Sequence, residues 1–199
     1  MEELNRSLFL IINASAHPSP GALIMANVLA QWLIYGVPLL LAGLWLWGGR
    51  ESRTVALAGV LSTVFALGCN VLIGVFWTHP RPFMIDLGHT FLAHQAETSF
   101  PSDHAVVFFA LGLAFMRGSL RKAGALLVLF GIAVGWARVY LGVHFPFDIV
   151  GALAVAFVSN WIVALALSFE TLRARLLDGL ENLYRRLFAL PISKGWVHA

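Results

Sequence analysis

Five apolar stretches separated by short polar interruptions constrain this chain more than any other feature. They run from about Leu23 to Trp47, Thr54 to Trp77, Ala105 to Met116, Ala123 to Tyr140, and Phe147 to Phe169. A helix needs about 20 apolar residues to cross a ~30 Å hydrocarbon core. Four of the stretches meet that length; Ala105–Met116 is short and suits a helix buried inside a bundle. Composition agrees: 59% of the residues are hydrophobic and 12% charged, whereas a soluble domain carries about 25% charge. The fold class predicted is all-α: a polytopic membrane helix bundle of about five transmembrane helices plus interfacial amphipathic helices, in a single domain over residues 1–199.

The two ends read differently from the middle. Leu4 to Ala14 has the pattern of a short amphipathic helix, and His17-Pro18-Ser19-Pro20-Gly21 breaks it. Residues 1–20 therefore read as an interfacial arm. Met1-Glu2-Glu3 lacks the basic start of a signal peptide, so the first apolar segment is expected to stay in the protein. At the other end, 171–190 interleaves arginines with leucines at helical spacing and reads as a basic amphipathic helix on the membrane, within a basic tail over 171–199. Such a tail suits topology and lipid headgroups, not nucleic acid. The one cysteine, Cys69, lies in an apolar run and reads as a buried hydrophobe.

Charge in the loops sets orientation. Of thirteen Lys and Arg, Arg6, Arg81 and Arg138 fall on one side of a five-span bundle; the rest lie in the 50–53 and 117–122 turns and the tail. The positive-inside rule puts that larger group, with the C-terminus, in the cytoplasm. The interruptions at 78–104 and 138–148 then meet on the outer face.

Those interruptions hold the chemistry. His79-Pro80-Arg81-Pro82, Pro101-Ser102-Asp103-His104, and Arg138 followed by His144 and Asp148 put arginines, histidines, a hydroxyl and carboxylates beside a membrane core, where ionisable groups are costly and mark function. Arginine's planar fork binds phosphate through two donors. Ser102 and Asp103 fall where a helix should start, and helix starts seat anions. His144 and Asp148 are four apart. A carboxylate on one imidazole nitrogen fixes the tautomer and leaves the other free to attack, with His104 available as general acid. Asp103 reads as a first-turn helix residue before a catalytic one. Glu97 would repel an anion unless paired, as with Arg81, and His79 is a possible accessory; His89 and His94 read as loop residues. No set of Cys, His and Asp has metal-ligand spacing, so neither metal nor other cofactor is expected.

Arg81-Pro82, Pro101-Ser102-x-His104 and Arg138-x5-His144-x3-Asp148 resemble the three motifs of the type 2 phosphatidic acid phosphatase family of membrane lipid phosphatases, over roughly residues 74–148. The resemblance implies His144 as the nucleophile forming a phosphohistidine, Asp148 as its orienting residue and His104 as the acid. Arg81, Ser102 and Arg138 would be phosphate ligands. Gly74 stands where the family usually has lysine, Asp103 where it has glycine, and Ala137 where it has serine. These departures, and the tail from Leu190 to Trp196, resemble the bacterial branch of bacitracin-resistance type that hydrolyses undecaprenyl diphosphate. The function implied is recycling of that lipid carrier for cell-wall synthesis, at the outer face of a bacterial cytoplasmic membrane, with a polyprenyl diphosphate and membrane lipids as partners. The alternatives are a phosphatase for another lipid, such as phosphatidylglycerol phosphate, or a transporter-like module that binds an anion without chemistry. Oligomeric state is left open.

Overall fold

The computed structural model describes residues 1–199, and every regular element is helical. The helices are α1 (Glu2–Ile12), α2 (Pro20–Asn27), α3 (Gly36–Trp47), α4 (Arg50–Phe76), α5 (Asp103–Arg117), α6 (Arg121–Tyr140), α7 (Pro146–Ser168), α8 (Glu170–Leu187) and α9 (Ala189–Ser193). Four segments, Pro20–Trp47, Arg50–Phe76, Arg121–Tyr140 and Pro146–Ser168, are long and apolar enough to cross a membrane. The short third segment is the hub. α5 packs against α4, α6 and α7, and Val106, Phe109, Ala110, Leu111 and Phe115 along it are almost wholly buried. Its 15 residues rise about 22 Å, and protein surrounds most of that length, so lipid thickness does not set it.

Close approach makes this arrangement possible. A Cβ on Gly112 would sit 2.9 Å from the Gly124 carbonyl oxygen, and one on Gly124 would sit 2.6 Å from the Gly112 oxygen. Two facing glycines thus let the α5 and α6 backbones touch, the usual device where apolar burial alone gives no drive between helices in lipid.

The apolar segment predicted from about Leu23 to Trp47 is one span, Pro20–Trp47, with an irregular middle. α2 passes through a π turn at Val28–Trp32 and a 3-10 turn at Leu33–Tyr35 before α3. Pro38 lacks an N–H and its ring crowds the carbonyl four residues back, at Ile34, which places the fault there. The predicted helix break at 17–21 ends sooner than expected, because Ser19 Oγ accepts from Ala22 N–H at 3.3 Å and starts α2 at Pro20.

Both ends dock more closely than amphipathic pattern alone predicts. Phe9 of α1 is fully buried, its ring 5.4 Å from that of Phe145. Asn5 Oδ1 accepts from Phe147 N–H at 3.0 Å, while Leu10 and Ile11 stay exposed. Asn13 accepts from His89 N–H at 2.7 Å and donates to the His89 and Tyr140 carbonyls, tying the 77–102 loop to the end of α6. At the opposite end α8 folds back on the α3–α4 turn. Arg50 donates to Asp178 at 2.6 Å and Glu181 at 2.7 Å. Arg53, 1% exposed, donates to Trp45, His198 and Ala199 carbonyls and lies over the Tyr184 ring. The basic tail is therefore clasped by ion pairs as well as amphipathic.

Gly124→Leu is expected to force α5 from α6, costing roughly 1–3 kcal/mol as overpacking does and lowering the Tm of the detergent-solubilised protein. An unchanged Tm would show that the contact is not close.

Candidate active site

The site forms at the end of the bundle where α4 finishes and α5 and α7 begin. Asp148, in the first turn of α7, is 1% exposed. Its Oδ2 accepts from Phe145 N–H at 2.7 Å, from His144 Nδ1 at 3.1 Å, and from the Ser99 hydroxyl. Pro146 at the first helical position fixes the turn that folds Asp148 back over His144, as the spacing predicts. The other imidazole nitrogen, Nε2, lies 3.1 Å from Arg81 Nη1. A guanidinium can only donate, so Nε2 holds a lone pair and Nδ1 holds the proton. Burial foremost, and the nearby Arg138 charge, push the His144 pKa down to about 3 against the opposing bond to Asp148. The imidazole is neutral at physiological pH, as a nitrogen nucleophile must be.

Arg81 is fixed by carbonyls: Nη1 donates to Val143 at 2.9 Å and Nη2 to Thr98 at 3.1 Å. Burial lowers its pKa and the charge of Glu97 offsets part of that; Glu97 Oε1 accepts from Nη2 at 3.4 Å, the pairing the sequence suggests. Arg138, 3% exposed near the end of α6, donates through Nη1 to Ala30 at 3.3 Å and through Nη2 to His94 Nε2 at 2.7 Å. Three buried polar atoms are left without partners here: Arg81 Nε, Ser102 Oγ and Arg138 Nε. Ser102 is the residue before α5, yet its hydroxyl makes no capping bond. Its backbone N–H donates to the Asp148 carbonyl at 3.2 Å. His104 is half-buried in the first turn of α5, within range of the charges of Arg138 and Arg81.

The accessory residues divide. Asp103, exposed at the start of α5, accepts from Asn70 of α4 at 2.8 Å. With Glu97, Asn70, Gly74 and Arg81 it lines a cavity of about 240 Å³. His79 turns away: its Nε2 lies 3.4 Å from Glu2 and its ring packs edge-on against Phe145. It lines a separate cavity of about 500 Å³ behind Asp148, together with Trp77 and Phe100, and is not among the groups beside His144 Nε2. Sequence reasoning missed Ser99 and treated His94 as a plain loop residue. Ser99 sits two residues before Pro101, but loops have no periodicity from which to read an inward-facing hydroxyl.

The model of the PAP2 superfamily matches residues 54–171. The chain belongs to the PAP2 superfamily. It is 38% identical over 197 residues, 99% of this chain and 98% of the relative, to a protein of Escherichia coli (strain K12) named "Putative undecaprenyl-diphosphatase YbjG". It is 31% identical over 159 residues, 80% of this chain and 82% of the relative, to undecaprenyl-diphosphatase BcrC of Bacillus subtilis (strain 168). The fold matches that of Aquifex aeolicus LpxE with TM-score 0.64 at 22% identity, over 81% of this chain and 94% of that one. It also matches a transmembrane PAP2-type phosphatidylglycerolphosphate phosphatase from Bacillus subtilis with TM-score 0.58 at 17% identity, over 82% of this chain and 84% of that one. The all-helical bundle predicted from hydropathy is thus the PAP2 membrane fold, and this is a multi-pass membrane protein.

Within this PAP2 site, Ser99→Ala removes one of three donors to Asp148. A hydrogen bond to a charged group contributes ~1.5–3 kcal/mol, so kcat is expected to fall about tenfold or more with KM little changed. A loss confined to KM, or to thermal stability, would show that Ser99 does not position His144.

Proposed function

We propose that this protein hydrolyses undecaprenyl diphosphate to undecaprenyl phosphate and phosphate through a phosphohistidine on His144. The observation that carries the reading is the set of unpartnered buried atoms, Arg81 Nε, Ser102 Oγ and Arg138 Nε, contributed by three separate segments at the end of the bundle where Arg81 meets the lone pair of His144. Buried polar groups are normally satisfied, and a tetrahedral anion with several acceptor oxygens answers all three. The names of the relatives from Escherichia coli and Bacillus subtilis, at 38% and 31% identity, favour a polyprenyl diphosphate as that anion's parent.

The reaction then runs in two displacements. His144 Nε2 attacks the terminal phosphorus; the bond to the bridging oxygen breaks, and its electron pair leaves on the lipid monophosphate. Nδ1 keeps its proton, and Asp148 stabilises the charge that the ring acquires. Arg81, Arg138 and Ser102 hold the transferring oxygens. Burial first, then the charge of Arg138, hold the His104 pKa down to about 4 in the free protein; the bound anion offsets that charge, so His104 takes up a proton from solvent with the substrate and gives it to the leaving oxygen. It then takes one from a water, which attacks the phosphohistidine, releases phosphate and restores the Nε2 lone pair. The cations of the 50–53 and 117–122 turns and of the tail lie at the far end of the bundle, which supports a cytoplasmic C-terminus and a site facing outward from the bacterial inner membrane.

Phosphate release from undecaprenyl diphosphate and from phosphatidylglycerol phosphate, in detergent with chelator present, tests the reading. Wild type is expected to favour the diphosphate, and His144→Ala to abolish turnover together with any acid-labile phosphoenzyme; near-normal turnover by His144→Ala would refute the nucleophile. His104→Ala is expected to harm diphosphate hydrolysis less than monoester hydrolysis, because a phosphate leaving group, whose second pKa is ~6, needs a proton less than an alkoxide does. Equal losses would remove His104 as proton donor.

A further inference from the structure

His94 stands where no motif places a functional group, yet it is the only side chain that engages an arginine of the phosphate site through a nitrogen lone pair besides His144 itself. Arg138 Nη2 donates to His94 Nε2 at 2.7 Å, and Nδ1 faces the Gln95 carbonyl at 3.2 Å. The free ring is therefore neutral, with its proton on Nδ1. Its ring meets that of His144 edge-on, centroids 6.3 Å apart. The side chain is 18% exposed, and Glu97 Oε1 lies 3.9 Å from Nδ1. The groups around it are Arg138 on α6, His104 on α5, Arg81 and Glu97 in the 77–102 loop, and His144.

Charge shows what such a residue is for. A terminal phosphate alone carries about −1.5 to −2 near neutral pH, and a diphosphate adds a second phosphate. Arg81 and Arg138 are spent on the transferring group, Gly74 supplies no cation, and Asp103 and Glu97 are negative. His104, the donor to the leaving oxygen, lies near enough to His94 for their charges to interact, so in the proposed pose the lipid-side phosphate lies beside both. When the transferring phosphate takes Arg138, the His94 lone pair is released beside an anion. It takes a proton from solvent, which its partial exposure allows, and becomes a donor. Burial first, then the charge of Arg81, hold the His94 pKa down in the free protein; a bound dianion cancels the second of these, and Glu97 supports the cation from behind.

We propose that His94 is a specificity-determining residue that exchanges Arg138 for the lipid-side phosphate of the bound diphosphate, donating to it through a protonated Nε2. This rests on the diphosphate reading above. Binding of methylenediphosphonate, which cannot be cleaved, and of orthophosphate to the full-length protein in detergent tests it apart from turnover. Wild type is expected to bind the diphosphonate more tightly. In His94→Ala the affinity for diphosphonate is expected to fall about tenfold or more relative to that for orthophosphate, the scale of one charge-assisted hydrogen bond. His94→Gln, which keeps a neutral acceptor for Arg138, is expected to lose the preference as well. Parallel losses for both anions, no loss, or a preference retained by His94→Gln would each overturn the proposal. Failure of wild type to release phosphate from undecaprenyl diphosphate would instead count against the function proposed above, whatever the binding ratio.

Discussion

A carboxylate that is almost wholly shielded from water must be surrounded by donors, because an unpaired buried charge is among the most costly groups a fold can hold. Asp148 is that group, and meeting its needs organises the end of the bundle. Ser99 reaches it from the loop after α4, Phe145 N–H and His144 from the turn before α7. The Asp148 backbone carbonyl takes the Ser102 N–H at the start of α5. One residue thus joins the loop, the helix start and the turn that carries His144. The same contacts that satisfy Asp148 hold the proton on His144 Nδ1 and aim Nε2 at Arg81.

Around this fixed carboxylate the cationic groups are held but not saturated. Carbonyls of Val143, Thr98 and Ala30 anchor the two guanidinium groups, which removes the conformational entropy that long side chains would otherwise lose on binding. The remaining donors lack partners, face neutral imidazole nitrogens or reach the Glu97 carboxylate. A phosphate offers oxygens that are better acceptors than imidazole for a guanidinium. Substrate can therefore replace contacts already present, without reshaping the helices that carry them.

The two ends of the bundle divide polar work. The site end spends its ionisable groups on one convergent cluster. The other end spends Arg50 and Arg53 on Asp178, Glu181 and the final carbonyls, binding the tail to the α3–α4 turn. Between them lies α5, whose backbone touches that of α6 at Gly112 and Gly124.

Much of this protein was written in its sequence. Apolar runs located the membrane-crossing helices because the hydrocarbon core dictates their length. Loop charge placed the 78–104 and 138–148 interruptions on one face, and the four-residue spacing of His144 and Asp148 gave their contact through local helix geometry. Glu97 was matched to Arg81 by charge alone. The tertiary structure decided what has no local signature. Pro38 and the turns before it made the middle of the first span irregular, and Arg50 and Arg53 folded the tail back. His79 was turned toward α1, while Ser99 and His94 were brought from an aperiodic loop to Asp148 and Arg138. Sequence spacing specifies partners within a turn or two of helix; partners separated by 44 or 49 positions meet only because the packed bundle carries them there.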